Sequence, residues 1–233
     1  MDNRYYFKEV NGNKVLITDG EAQHLCKVRR AKIGDEIMGF NGDGYNYFLK
    51  IANITKDKVE ADILNKELNK AMDNKNITVY LSMIKNDALT TAIDNLAELN
   101  VKHVKLFASD YSVAVIDEKK LEKLNNIAIQ ASKQCERADI MKVSIIKKAD
   151  IENDIKQFKN AFFAYENSEN KLTPFNGDFA VIIGPEGGFS ETENKYFSSF
   201  AKNISLSNTI LRAEVASVVA VSALKAVSVW KQV

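Results

Sequence analysis

From residue 77 onward the chain alternates strand-like and helix-like segments, and this alternation restricts the fold more than any other feature. The strand-like runs are "ITVYLSMI", "HVKLFAS", "KVSII", "AFFAYE", "FAVIIG" and "ISLS". The helix-like segments are "DALTTAIDNLAELN", "EKKLEKLNNIAIQASKQCERA", a short one near residues 150–159, "ETENKYFSSFA" and "AEVASVVAVSALKAVSVW". This order predicts an α/β domain whose mostly parallel sheet is covered by helices on both faces. Ligands of such sheets lie beyond the carboxyl ends of the strands.

The first seventy residues have a different pattern. Their strand-like runs are "RYYFKEV", "KVLIT", "DEIMGF", "YNYFLKIANI" and "KVEADIL", with tight-turn sequences Asn-Gly-Asn and Asn-Gly-Asp-Gly and a short helix-like piece around "EAQHLCKVRR". Short strands joined by tight turns predict a small β-barrel. The polar stretch at residues 65–76 has no clear periodicity, so we place the domain boundary there. We therefore expect one domain at residues 1–70 and a second at residues 74–233.

Composition narrows the class of protein. The 233 residues are 45% hydrophobic and 27% charged, with no apolar run long enough to span a membrane. The N-terminus lacks the layout of a signal peptide, so we expect a cytoplasmic protein without membrane association. Cys26 and Cys135 lie far apart and have no CxxC partner or nearby histidine, so we expect neither a disulfide framework nor a metal site.

The charge of the chain is balanced overall but uneven locally. A formal net charge of +1 does not indicate a nucleic-acid partner, yet the segment "HLCKVRRAKI" at residues 24–33 contains four basic residues and no acidic one. A basic cluster this short is compatible both with a solvated surface and with a phosphate-binding patch.

The stretch "FAVIIGPEGGFSETE" places Gly184, Pro185, Glu186, Gly187 and Gly188 between a predicted strand and a predicted helix. Glycines at such a loop allow a ligand to approach the main chain closely, and the proline stiffens the bend. Neither GxGxxG nor GxxxxGK[ST] is present, and an acidic residue in the loop disfavours phosphate, so a neutral or positively charged ligand is expected. The following Ser-x-x-Glu matches a capping box, which explains residues 190–193 but not residues 184–188.

A second strand-to-helix loop lies within "ISLSNTILRAEVASVVA", where Arg212 and Glu214 stand at the predicted helix entrance. These two residues could form a surface ion pair, which contributes at most about 1 kcal/mol. They could instead be brought beside residues 184–188, because both loops leave carboxyl ends of strands in the predicted sheet.

Taken together, "IIGPEGGFSETE" and "ISLSNTILRAEVA" resemble the signature of the RsmE family, the uridine N3-methyltransferases of 16S ribosomal RNA in the small subunit. The resemblance extends to "HLCKVRRAKIGDEI", "IKNDALTTAIDNLAELNV" and "AIQASKQCERADIMKV", and so covers the whole chain. Ser207 and Val215 stand where the family has glycine and threonine. The resemblance implies a PUA-like β-barrel followed by a SPOUT-type α/β domain with a trefoil knot. It also implies a homodimer that uses S-adenosylmethionine and acts on 16S rRNA or the 30S subunit.

The resemblance also assigns roles to residues. Cofactor contacts are expected from Tyr165, Gly184, Pro185, Glu186, Gly187, Gly188, Leu206, Ser207, Asn208, Ile210 and Leu211. Arg212 is expected to stabilise negative charge on the uracil oxygens, with Glu186 or Glu214 as proton acceptor and no choice made between them. RNA contacts are expected from Arg4, Lys27, Arg29, Arg30, Lys133 and Arg137. Two alternatives stay open: a related methyltransferase that acts on another RNA, and an RNA-binding protein without enzymatic activity.

Overall fold

The computed structural model describes residues 4–170 and 172–228. Trp230, at the predicted end of the last helix, lies outside these described residues. The chain divides into two compact units, one of Met1–Met72 with Ser132–Ile140 and one of Asp73–Ala131 with Met141–Val233. The first unit is therefore discontinuous in sequence, because a nine-residue segment from the middle of the chain belongs to it.

The first unit contains one mostly antiparallel sheet. Its strands are β1 Arg4–Tyr6, β2 Val10–Asn11, β3 Lys14–Thr18, β4 Glu36–Phe40, β5 Tyr45–Ile54 and β6 Lys58–Leu68, in the order β1-β4-β5-β6-β3-β2. Within the described residues, the β1–β4 pair of this sheet is parallel and the other strand pairs are antiparallel. Helix α1, Asp19–Gln23, continues into a π-helical turn at His24–Val28. The predicted Asn-Gly-Asn hairpin is confirmed, since Val10 pairs with Val15 and Gly12 takes a φ of +61°.

The position of β6 corrects one expectation about the linker. Residues 65–68 were expected to be irregular because they are polar, but they continue β6 and pair with β5 from Phe48 back to Tyr45. The Lys66 ammonium lies 4.7 Å from the centre of the Tyr45 ring. This cation–π contact stabilises the end of β6, where the side chains are too polar for apolar packing.

The second unit contains a parallel sheet in the order β12-β10-β11-β7-β8-β9. Its strands are β7 Ile77–Ser82, β8 His103–Phe107, β9 Lys142–Ile145, β10 Asn160–Ala164, β11 Phe179–Ile183 and β12 Lys202–Ile204. Its helices are α2 Asn86–Glu98, α3 Glu118–Gln134 (which ends in the first unit), α4 Ile151–Ile155, α5 Glu191–Ser198 and α6 Ala213–Val227, with a 3₁₀ turn at Lys148–Asp150 before α4. The predicted α/β fold is confirmed.

Apolar residues on both sides of the central strands explain why helices cover both faces. Odd-numbered residues of β7 and β11, such as Val79 and Val181, join a core that contains residues of α2, α3 and α6. Even-numbered neighbours, such as Tyr80 and Ile182, join a second core with α4 and α5. Because successive side chains of a strand point to opposite faces, a continuous apolar run requires both faces to be buried.

Two predicted boundaries are wrong. Helix α3 ends at Gln134 rather than at residue 138, and Glu136 takes a φ of +63° just beyond it. Strand β12 covers Lys202–Ile204 rather than residues 204–207, which leaves Leu206 and Ser207 in the loop that follows. Among the described residues, no helix is both long enough and apolar enough to cross a membrane.

Candidate functional site

Three loops that leave the carboxyl ends of neighbouring strands β10, β11 and β12 enclose a pocket in the second unit. It is lined by residues 164–166, 183–189, 206–207, 209–211, 213 and 216. The strand order places β10 between β12 and β11, so the three loops start side by side. This is the edge at which parallel sheets hold ligands.

The three glycines of the β11 loop differ in why their positions require, or do not require, a residue without a side chain. A Cβ atom on Gly184 would lie 2.9 Å from Cε2 of Phe189, so any side chain there would displace the ring. Gly188 has a φ of +71°, in the left-handed region, and its N–H donates to the Pro185 carbonyl at 3.0 Å. Gly187 has no positive φ and no close neighbour. A Cβ atom there would make only ordinary contacts with Tyr111, at 3.5 Å and beyond.

Glu186 projects from the tip of this loop and is exposed. Its Oε1 accepts a hydrogen bond from the backbone N–H of Lys85 at 3.3 Å, just before α2 begins. This bond connects the β11 loop to the segment after β7, the next strand in the sheet. The carboxylate therefore lies at the pocket with one oxygen engaged by the protein.

The predicted capping box at the start of α5 is confirmed and extends further than the sequence indicated. The Ser190 hydroxyl accepts from the Glu193 N–H, and Glu193 Oε2 accepts from the Ser190 N–H at 3.1 Å. The other oxygen, Oε1, accepts from the Asp110 N–H at 2.9 Å and from Lys148 Nζ at 2.8 Å. The Glu193 side chain is 2% exposed, so it is a buried carboxylate with a full set of donors.

Asp110 completes this network from the loop after β8. Its Oδ1 accepts from Lys148 Nζ at 2.6 Å and its Oδ2 from the Ser190 hydroxyl at 2.5 Å. These two hydrogen bonds, that from Lys148 first, hold the pKa of the Asp110 carboxyl below its ordinary value. The network thus joins the β8 loop to the β11 loop through charge-assisted hydrogen bonds.

One wall of the pocket is aromatic and aliphatic. Tyr165 stacks on Phe163, with ring centres 5.7 Å apart and planes 8° from parallel, and its N–H donates to the Ile204 carbonyl at 2.9 Å. Ile210 contributes a side chain that is 91% exposed. An exposed large apolar side chain beside a pocket of glycines suits the flat face of a heteroaromatic ligand.

The structure brings together most of the predicted cofactor residues. Tyr165, Gly184, Pro185, Glu186, Gly187, Gly188, Leu206, Ser207, Ile210 and Leu211 all line the pocket. Asn208 is exposed and is not among the lining residues, so its contact with the cofactor stays a prediction.

Arg212 and Glu214 stand beside the pocket rather than in its lining. Arg212 is the N-cap residue of α6 and is exposed, and Glu214 lies in the first helical turn. The possible ion pair between them is absent among the described residues, where neither side chain has a hydrogen-bond or ion-pair partner. The neighbours Leu211 and Ala213 do line the pocket, so the Arg212 guanidinium is left available at its border.

Sequence reasoning missed seven lining residues: Ala164, Glu166, Ile183, Phe189, Thr209, Ala213 and Ala216. A signal existed for Glu166, which directly follows β10 and Tyr165 and is therefore at the ligand-binding edge of the sheet. Its carboxylate lies close to the β11 loop, because Oε1 is 3.9 Å from the Cβ position of Gly188. Ala216 offered no such signal, since it lies inside a helix.

The six predicted RNA-contacting residues divide into two groups. Lys27, Arg29 and Arg30 are exposed on and after the π-helical turn of the first unit. Exposed cations on one short segment form a surface that can approach phosphates.

The other three are largely buried within the fold, and their phosphate contacts stay a prediction. Arg137 is fully buried and forms two parallel hydrogen bonds to Asp139, at 2.9 and 2.7 Å. Lys133 pairs with Glu21 at 2.9 Å and its side chain is 11% exposed. Arg4 is 6% exposed and lies over the Phe40 ring at 4.4 Å, where burial lowers the pKa of its guanidinium.

Comparison with known proteins agrees with this arrangement. A family model described as an RNA methyltransferase domain matches residues 71–225, and one described as an RNA methyltransferase PUA domain matches residues 17–64. A Helicobacter pylori protein named ribosomal RNA small subunit methyltransferase E is 31% identical over 205 residues, which cover 83% of this chain and 87% of that protein.

A Rickettsia conorii protein of the same name is 29% identical over 224 residues, covering 91% of this chain and 89% of the relative. A solved Legionella pneumophila structure, described as a methyltransferase in complex with bound SAM, superposes with a TM-score of 0.83 at 25% identity over 98% of both chains. The fold and the pocket thus define an RNA methyltransferase with a PUA-like first domain. More specifically, the chain belongs to the ribosomal RNA small subunit methyltransferase E family.

Proposed function

We propose that this protein transfers a methyl group from S-adenosylmethionine to N3 of a uridine in 16S rRNA of the small ribosomal subunit. The observation that carries the proposal is the pocket at the ends of β10, β11 and β12, in a chain of this methyltransferase family. The small subunit is the substrate that the names of the relatives give.

The chemistry of the pocket fits this cofactor. S-Adenosylmethionine, when bound, supplies an electrophilic methyl group on a positively charged sulfonium. Glu166 and Glu186 place carboxylates at the pocket, which favours a cationic ligand over a phosphate. The main chain at Gly187 has no side chain over it and is accessible to the hydrogen-bonding groups of an adenine, and Leu206 and Leu211 supply apolar walls.

Arg212 and a carboxylate serve the substrate side of the reaction. N3 of uracil must lose a proton, and the resulting negative charge spreads to the two flanking carbonyl oxygens. The Arg212 guanidinium, exposed at the pocket border, is suited to hold that charge in a fixed planar geometry. Of the two candidate proton acceptors, Glu186 lines the pocket and Glu214 does not, which favours Glu186.

The first unit is proposed to position the RNA. The expected RNA-binding domain, residues 1–70, belongs to this unit, and the expected methyltransferase domain, residues 74–233, forms the second unit apart from Ser132–Ile140. Lys27, Arg29 and Arg30 are exposed cations on one segment of the first unit. Phosphate contacts of this kind contribute affinity and orientation without reading the sequence.

Three further properties belong to the same proposal: a homodimer, a trefoil knot in the second domain and a cytoplasmic location without membrane association. The homodimer is supported by Ile210 and Val215, which are 91% and 43% exposed around the start of α6. Apolar side chains exposed on a helix rich in apolar residues favour burial against another chain. The other two properties rest on the resemblance to the family.

Mass spectrometry of 16S rRNA from cells with and without the gene tests the activity, together with calorimetric titration of S-adenosylmethionine into the pure protein. We expect one methylated uridine to be lost from the small-subunit RNA of the deletion strain. Cofactor binding without any change in that RNA would point to a different RNA substrate. Absence of cofactor binding would refute the enzymatic proposal and favour a purely RNA-binding protein.

A further inference from the structure

Tyr111 is an exposed aromatic residue beside the pocket, in the loop after β8. It occupies the third position of a turn closed by the Ser112 N–H, which donates to the Ser109 carbonyl at 3.1 Å. The side chain is 53% exposed, whereas every other aromatic side chain in the described part of the chain is buried or half-buried. Burial of aromatic rings is strongly favourable. An aromatic ring exposed to solvent next to a binding pocket therefore indicates a ligand-binding surface.

The ring borders the β11 loop directly. The Cβ position of Gly187, a pocket-lining residue, lies 3.5 Å from Cβ of Tyr111 and 4.0 Å from Cγ and Cδ2 of its ring. A larger residue at 187 would reach into this space, so glycine allows the ring to lie against the main chain of the loop. Tyr111 is thus a neighbour of the cofactor loop, although it belongs to a different strand end.

The turn that carries Tyr111 is held in place on both sides. On one side, the Asp110 N–H donates to the buried Glu193 carboxylate, and the Asp110 carboxylate accepts from Lys148 and Ser190. On the other side, the hydroxyl of Ser112 lies 2.9 Å from the hydroxyl of Ser82, at the end of β7. The aromatic ring is therefore presented by a braced backbone rather than by a free loop, which lowers the entropic cost of binding against it.

From this placement we propose that Tyr111 is the stacking platform for the base that receives the methyl group. The inference rests on the proposed function, because the acceptor base must reach the pocket edge and must leave its own stack to do so. An extruded base is commonly stacked on an aromatic side chain. The charge of the adjacent Asp110 is compensated by Lys148 at 2.6 Å, so a phosphate near the turn does not meet an unpaired carboxylate.

Single-turnover methylation tests the proposal, with 30S subunits from the deletion strain as substrate and their concentration varied. Tyr111→Ala should raise the half-saturating concentration of RNA roughly tenfold, the order of one lost base–aromatic stack. Tyr111→Phe should behave like the parent, because stacking needs the ring and not the hydroxyl. Val115→Ala, in the same loop and 82% exposed, is the matched control and should also behave like the parent. Calorimetric affinity for S-adenosylmethionine should change less than twofold in all three variants.

The outcomes separate this inference from the function on which it rests. An active parent and an equally active Tyr111→Ala variant would overturn the stacking role alone. A fall in cofactor affinity equal to the loss of RNA affinity would make Tyr111 a cofactor residue instead. A variant that dissociates in sedimentation would make it a subunit contact. A parent that binds the cofactor but methylates no small-subunit RNA would overturn the proposed function, and this assignment with it.

Discussion

Replacing Glu193 by alanine should destabilise the second unit by about 3 kcal/mol. The side chain is buried, so the mutation leaves the N–H groups of Asp110 and Ser190 without their acceptor. An unsatisfied buried donor costs roughly 1–3 kcal/mol. We take the lower half of that range for each, because Asp110 is exposed and Ser190 is half-buried. The lost contact with Lys148 adds little to this destabilisation, because Lys148 keeps Asp110 as a partner at 2.6 Å and its side chain is 32% exposed.

Urea unfolding followed by far-ultraviolet circular dichroism measures this change, and amide hydrogen exchange at Asp110 and Ser190 localises it. The control is Glu191→Ala in the same helical turn, where the exposed side chain makes no hydrogen bond or ion pair among the described residues. Its expected cost is below about 1 kcal/mol, from the lost interaction with the helix dipole. The loss of unfolding free energy in Glu193→Gln should lie between those of Glu193→Ala and Glu191→Ala, because glutamine retains one acceptor oxygen. Equal unfolding free energies for Glu193→Ala and Glu191→Ala would refute the reasoning.

Four other predictions concern the site and the first unit. Gly188→Ala should cost about 1 kcal/mol of stability in urea unfolding because of its positive φ, whereas Gly187→Ala should be near neutral. Arg212→Lys should lower the single-turnover methylation rate on the order of a hundredfold with calorimetric cofactor affinity unchanged; equal losses of both would contradict a role in the transition state. Arg137→Ala should destabilise the fold by about 3 kcal/mol in urea unfolding, since a buried ion pair loses one partner. Arg29→Ala should leave stability unchanged and reduce the salt dependence of RNA binding by about one phosphate contact, measured by filter binding at several salt concentrations.

The strands and helices of the second unit could be predicted from the sequence because the order of apolar and polar residues indicates which positions are buried. Strand β7 is apolar or aromatic at four of its six positions, all except Thr78 and Ser82, and all six positions are buried. The capping box was equally readable, since Ser190 and Glu193 have the required spacing within the chain. Features set by neighbours in sequence can be predicted from sequence.

Features set by neighbours in space could not be predicted. Arg137 has the residue type of a surface cation, and only the fold shows that its side chain is fully buried. The buried role of Glu193 toward Asp110 and Lys148 depends on contacts 83 and 45 residues away in the chain. The strand at residues 65–68 was missed for a related reason, because its stabilisation comes from pairing with β5 and not from an apolar pattern.

The discontinuity of the first unit has a consequence for how the protein is synthesised. Its last segment supplies hydrogen-bond partners to the earlier part: the Glu136 carbonyl accepts from Asn69 Nδ2 at 2.8 Å, and the Ala138 carbonyl accepts from the Gly44 N–H at 3.3 Å. During translation these partners emerge only after α2, β8 and α3 of the other unit have been made. The N-terminal domain therefore cannot complete its folding first, as a continuous domain would. A fragment that ends at residue 72 would lack Ser132–Ile140, and so the hydrogen-bond partners that this segment supplies to the first unit.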